Sequence, residues 1–392
     1  TFASAARSLG TAARAAGLDV PAFRSPPRIP GVDRSIRRFP GGAVVAVRVR
    51  GRSLAPVLED MVEGVLVANR VRGEARPRLR LALLAAALDA SLFHGNPLGI
   101  DPATITWPRT LDVNDRALRY VTIGQGGPQH GVERQSQFVI TAASEVMAIL
   151  ALATDLRDLR ARLGRIVVAD TRDGRPVTAE DLRAAGAMAV VLKDAIDPNL
   201  VQTLEGQPTF LHAGPFGNIA HANNSIVEDR VALKLADYVV TEAGFASDLG
   251  FQKFCDIVCR VGHLTPSAAV LVTTVRATKS HGGVDFVDLA TPDLDALARG
   301  TGNLAAHVGI VRRYGLPCVV SVNAFPTDTA EEIALLERLA VEAGAETVVV
   351  NRGFAEGGAG AEDLARAVVR ACAQPNRFAF LTPDGTSLRA QI

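Results

Sequence analysis

From about residue 117 onward the chain repeats one rhythm: a short β-branched run, a Gly/Pro/polar turn, then apolar residues at helical spacing. The runs at 119–123, 165–169, 209–213, 238–241, 269–275, 317–322 and 347–350 read as strands. Helix starts carry caps, Thr178 followed by Asp181 and Thr329 followed by Glu332. The apolar spacing predicts helices over 143–156 and 330–342, each with one buried face. Strands alternating with helices at this pitch predict an α/β fold, a mostly parallel sheet flanked by helices, with a smaller appended α/β lobe. In such a sheet ligands bind beyond the carboxyl ends of the strands, so the loops there should carry the chemistry. The front is less regular. Residues 1–16 read as an Ala/Arg-rich helix, 19–42 as a Pro/Gly/Arg stretch without periodicity, 43–49 as a strand, and 77–93 as an apolar helix ending at Gly95.

Composition narrows the class. At 392 residues the chain exceeds a typical single domain and should hold more than one lobe. Four cysteines supply no disulfide framework and suit a reducing cytoplasm. No uncharged apolar run reaches the ~18 residues of a membrane helix, and no signal peptide opens the chain. Thr1 in place of Met reads as a start inside a longer protein. The expectation is a cytoplasmic globular protein without a membrane partner.

Charge adds two details. Only four of 42 basic residues are lysines, Lys193, Lys234, Lys253 and Lys279, and these are places where Arg does not substitute. Residues 1–80 hold 15 Arg against six acids, so a net charge of +1 conceals a basic front. That front lacks interleaved aromatics or a recognisable module, so solvated Arg is favoured over nucleic-acid binding. Cys255, Cys259 and His263 have helical spacing but no clear fourth ligand, so they read as buried thiols and no metal site is assigned.

Three strand-end loops concentrate Gly, His, Asn and Arg: 214–221 (GPFGNIAH), 241–245 (TEAGF) and 274–283 (TVRATKSHGG). Gly lets backbone approach a ligand, and His, Arg or Lys meets an anion. Any one of them could be an ordinary turn; three at successive strand ends argue for a site. Lys279, with Arg276 and His281 nearby, is the expected anion contact.

These loops also carry a family resemblance. Together with 99–101 (GID), 112–119 (DVNDRALR), 143–150 (ASEVMAIL), 192–196 (LKDAI), 199–205 (NLVQTLE), 236–245 (ADYVVTEAGF) and 323–329 (NAFPTDT), the chain resembles formate–tetrahydrofolate ligase, collinearly over roughly 280 residues. The resemblance implies a P-loop NTPase-like fold and ATP-dependent formylation of tetrahydrofolate, through formyl phosphate, to 10-formyltetrahydrofolate. It implies ATP, Mg2+, tetrahydrofolate as substrate, formate and a monovalent cation, and a homo-oligomer. Phe325 and Pro326 stand at the family's ring-binding wall, and Phe354 stands where the family has a ring-stacking Trp. Phe216, Gly357 and Gly358 complete the expected ring and nucleotide contacts.

The phosphate side departs from that pattern. No Gly-x-x-x-x-Gly-Lys-Ser/Thr occurs in the 392 residues, and no Lys precedes Lys193. Arg50, in Arg50-Gly51-Arg52-Ser53-Leu54-Ala55-Pro56-Val57, matches the family's Arg for formyl phosphate, with Gly51 replacing a Glu. The chain therefore divides into a degenerate or truncated nucleotide side at 1–116, a folate/nucleotide-binding core at 117–371 and a residual tail at 372–392. The alternative is a non-catalytic relative that keeps a folate- or nucleotide-binding scaffold.

Overall fold

A computed structural model describes residues 37–39, 42–44 and 76–391, apart from 113, 114, 204 and 218. Arg50 and the expected helix at 1–16 lie outside the described residues, as does most of the expected strand at 43–49.

The first described region is built of small pieces around one core. Strands β1 (Arg37–Phe39) and β2 (Gly42–Val44) form a hairpin, and α1 (Arg76–Phe93) follows. Leu84, Leu88 and Leu92 recur every fourth residue of α1 and are all buried. The helix ends before Gly95, whose φ of +91° only glycine adopts without strain. Next come β3 (Arg109–Thr110), β4 (Val121–Ile123), β5 (Arg134–Ser136), β6 (Phe138–Val139), α2 (Glu145–Leu152) and α3 (Leu156–Gly164). Then follow β7 (Val167–Asp170), β8 (Pro176–Thr178), α4 (Ala185–Leu192), β9 (Asn199–Gln202), β10 (Pro208–Leu211) and α5 (Ile226–Leu235). Leu84, Leu88, Ile100, Trp107, Leu159, Leu163 and Met188 share this core.

The second region supplies the parallel sheet. A π-helical stretch, Ala246–Phe251 and Phe254–Cys259, runs into α6 (Arg260–Gly262). It is followed by β11 (Ala269–Thr273), α7 (Val275–His281), α8 (Leu294–Arg313), β12 (Cys318–Asn323), α9 (Ala330–Glu342), β13 (Thr347–Asn351), α10 (Gly353–Glu356), α11 (Glu362–Cys372) and α12 (Leu388–Gln391). β11, β12 and β13 are parallel and adjacent in that order. The pleat sends Cys318, Val320 and Val322 into one core with Leu304 and Val308 of α8 and Leu336 of α9. Val319 enters the opposite core with Leu364, Ala367 and Val368 of α11. Helices thus cover both faces, as the alternation predicts.

The α/β class holds, but the described strands form five small sheets in place of one long one. β4 pairs β5 and β7 pairs β8 antiparallel, while β3 pairs β6 parallel. The helix expected over 143–156 breaks in two, because Asp155 accepts from the Asp158 N–H and starts α3. Thr178 closes a turn with Asp181 at the end of β8, and α4 begins only at Ala185. The run at 238–241 forms no strand; it makes no ladder with β11, which pairs with β12 alone. Among the described residues no helix is long and apolar enough to cross a membrane.

The last residues pack against the second core. Phe378 stacks on Tyr314 at 6.2 Å between centroids, and the Ala379 N–H donates to the Tyr314 carbonyl. The Arg260 guanidinium lies 4.1 Å over the Phe380 ring and also reaches Thr382 and Asp384. Asn376 donates to the Pro266 carbonyl.

Candidate active site

The carboxyl ends of β11, β12 and β13 bring together residues from three separate loops. After β11, Thr274 caps α7 by accepting from the Ala277 N–H, which places Arg276 in the first helical turn. Its guanidinium sits 4.4 Å from the Phe325 ring centroid, and Nη2 donates to Thr327 Oγ1 at 2.9 Å. Arg276 Nε is buried and meets no acceptor among the described residues. One ring face thus carries a cation–π contact. Phe325 remains 40% exposed.

The Phe325 loop is braced from behind. The Phe325 N–H donates to Asp328 Oδ2, and the Asp328 N–H returns to the Phe325 carbonyl. Thr329 and Glu332 then form the capping box expected of them and start α9 at Ala330. Glu332 also receives Lys279. The Lys279 ammonium donates to Glu332 Oε1 at 2.7 Å and to the Thr291 carbonyl at 2.8 Å, with both side chains essentially sealed from solvent. In place of the anion contact expected of it, Lys279 therefore joins α7 to α9 beneath the site. Burial pushes Glu332 upward, but hydrogen bonds from Lys279, Thr329 and Asp293 outweigh it and hold the carboxyl below its ordinary range. His281 is exposed at the far end of α7, several residues from Arg276.

The third loop carries Phe354, which is 91% exposed on the four-residue α10. Both ends of that turn are tied. Asn351 Oδ1 accepts from the Gly353 N–H at 2.8 Å, and Glu205 Oε1 accepts from the Gly358 N–H at 3.0 Å. Gly357 lies between them with φ +63°, where a Cβ would approach Glu205 to 3.1 Å. Asn351 and Asn323 stand opposite each other in register at the strand ends, and Asn351 Nδ2 donates to Asn323 Oδ1 at 3.1 Å.

The structure therefore unites Arg276, Phe325, Pro326 and Phe354 at the ends of neighbouring strands, with Gly357 and Gly358 closing the Phe354 turn. Phe216 sits on a separate loop, half-exposed, with its N–H donating to the Ala142 carbonyl. On that loop Gly217 lies so close under the Phe245 ring that a Cβ there would come within 2.1 Å of it. Asn323, Asn351, Glu205 and Phe245 were not singled out from sequence. An Asn ending each of two adjacent β-branched runs was the signal available for the first pair.

Elsewhere, the first turn of α5 buries two neighbouring acids. Glu228 is pushed up to about 7 and Asp229 to about 6, in both cases chiefly by burial. Asn224 and Asn223 donate to them, and Glu228 Oε2 has no partner among the described residues. His212 is buried beside Ser225 and held low by desolvation. Cys255 and Cys259 are buried, whereas His263 is exposed.

A family model described as formate–tetrahydrofolate ligase matches residues 80–392. Curated relatives of that name include proteins of Desulforamulus reducens, 54% identical over 318 residues, and Symbiobacterium thermophilum, 56% identical over 311. In both cases the match covers 79% of this chain and 56% of the relative. A third, from Aeromonas hydrophila, is 52% identical over 331 residues, with 79% and 58% covered. The chain thus spans somewhat over half the length of these relatives.

Proposed function

The chain belongs to the formate–tetrahydrofolate ligase family, and from that premise we propose that its strand-end loops bind the flat rings of tetrahydrofolate and ATP for ATP-dependent formylation of tetrahydrofolate. In this reading formate attacks the γ-phosphorus of ATP, releasing ADP and leaving formyl phosphate. A folate amine nitrogen then attacks the formyl carbon, phosphate departs and takes up the proton the nitrogen loses, giving 10-formyltetrahydrofolate. The single observation that supports it most is the pair of exposed aromatic rings, Phe325 and Phe354, at the ends of adjacent parallel strands, one of them backed by Arg276. An aromatic wall there stacks on any flat heterocycle.

Within this reading Arg276 supplies positive charge beside the bound ring, and Lys279 serves by holding α7 against α9. His281, exposed at the far end of α7, is given no contact with the ring. Arg50 is assigned to formyl phosphate from its sequence context alone. Among the described residues no three His, Cys, Asp or Glu side chains converge on one point, so no residue is proposed to hold Mg2+ or a monovalent cation. A P-loop NTPase-like nucleotide side, a homo-oligomeric assembly and a cytoplasmic location belong to the same proposal.

A second reading keeps the family's scaffold and binds the rings without phosphoryl transfer. Assaying the full chain with ATP, formate and tetrahydrofolate separates the two. Production of 10-formyltetrahydrofolate supports the ligase. Ring binding without turnover supports the scaffold.

A further inference from the structure

The Phe354 turn is tied to β12 by a chain of side-chain amides whose orientation is not arbitrary. The Gly353 backbone N–H can only donate, so the Asn351 atom facing it at 2.8 Å is the carbonyl oxygen. The other end of that amide is then an NH2 group. It meets Asn323 at 3.1 Å, so the Asn323 atom there must be the oxygen. Ser321 Oγ donates to the same oxygen at 3.2 Å from a fully buried position. Two donors therefore saturate Asn323 Oδ1. Asn323 Nδ2 keeps both protons, meets no acceptor among the described residues and is not sealed from solvent. It belongs to the last residue of β12, two positions before Phe325, at the root of the loops that carry the aromatic wall.

We propose that Asn323 Nδ2 is the specificity contact of the slot, donating a hydrogen bond to an acceptor on the edge of a stacked planar heteroaromatic ring, and that Asn351 is the positioning residue that holds it in the donating orientation. The inference rests on the slot reading above. Stacking on Phe325 and Phe354 tolerates any flat ring, because every ring has a π face. A fixed donor at the ring edge selects rings with an acceptor at that point, since a ring lacking it leaves the donor unpaired. Purine nitrogens and the pterin carbonyl or ring nitrogens share this chemistry.

The test is calorimetric titration of the full chain with tetrahydrofolate and, separately, with adenosine, which carries no phosphate charge. Asn323→Asp keeps an oxygen for Asn351 and Ser321 and replaces the outward donor by an acceptor. It should weaken the ring ligand that reaches Nδ2 by about 10- to 100-fold, with the melting temperature little changed. Asn323→Ala, uncharged, should weaken the same ligand by about tenfold and guards against a folding defect of the first variant. Asn351→Asp lets the Asn323 amide turn inward to donate to the new carboxylate, and should reproduce the ligand-selective loss without touching the slot itself. A loss confined to tetrahydrofolate identifies the pterin, and one confined to adenosine identifies the purine. Binding within twofold of wild type for both ligands in Asn323→Asp and Asn323→Ala overturns the proposal. Phe354→Ala separates the two levels. If it weakens binding while the Asn323 variants do not, only the amide contact falls; if neither weakens binding, or the wild-type chain binds neither ring, the slot falls with it.

Discussion

The two aromatic residues of the slot are held in opposite ways. Phe325 is braced on one face by Arg276, at its backbone by Asp328, and from below by the sealed Lys279–Glu332 pair. Phe354 stands almost entirely in solvent; its turn is closed by backbone bonds such as Arg352 N–H to the Gly360 carbonyl and by Asn351 and Glu205 at its ends, and none of these touches the ring. The first wall is finished before a ligand arrives. In the reading proposed above, the second leaves its ring for a ligand to cover, so its burial would become binding energy and contribute nothing to folding. Stability and affinity should therefore respond separately to the two sides.

The strongest attack on this contrast is Lys279→Met. It leaves the buried Glu332 with its hydrogen bonds from Thr329 and Asp293 but without its cation, and should cost about 3–5 kcal/mol of stability in denaturant unfolding. If the loss is below about 1 kcal/mol, the Phe325 side is not braced from below. Acid offers a milder test of the same side. Glu332 has a lowered folded pKa, so its stabilisation is present above its unfolded value of about 4.5 and is lost as the pH falls through the folded value. Glu228 has the opposite sign: its raised value means stability is lost as pH rises from about 4.5 through about 7. Glu228→Gln should therefore stabilise the protein at pH 8, by about 1–3 kcal/mol, and do little at pH 4. An equal effect at both pH values would refute that assignment.

On the exposed side, Phe354→Ala should cost about 1–3 kcal/mol of ring affinity and leave the melting temperature nearly unmoved. Phe354→Trp should tighten binding severalfold, since it enlarges the stacking face. A melting-temperature drop of many degrees in Phe354→Ala would show that both walls are structural. The smallest effect belongs to Arg276→Gln, which removes a partly exposed cation–π contact worth about 0.5–1 kcal/mol to the Phe325 loop.

What was legible in the sequence divides along physical lines. Helix α9 begins and ends where its apolar spacing and its capping box say, because both signals are local. The three parallel strands lie within two residues of their β-branched runs for the same reason. Local signals failed where a competing contact decided. Asp155 split one expected helix by capping a new one, and the β-branched run at 238–241 forms no ladder with the open edge of β11. At the candidate site, the resemblance drew attention to Phe325 and Phe354, whose strand-end placement the structure shows, whereas the burial of Lys279 was not legible. Nothing local shows that a Lys in a Gly/His-rich loop meets a Glu 53 residues later inside the core. The Asn323–Asn351 bridge was hidden likewise, since it depends on the register between β12 and β13.

The packing of the last residues bears on all of this from the opposite end of the sheet. Asn376, Phe378, Phe380 and the Arg260 clasp gather at the segments that lead into β11 and β12, next to Pro266 and Tyr314. The sheet is bound like a book at its spine, which keeps the strands from fanning apart; in the reading proposed above, a ring would meet strand ends already held in register.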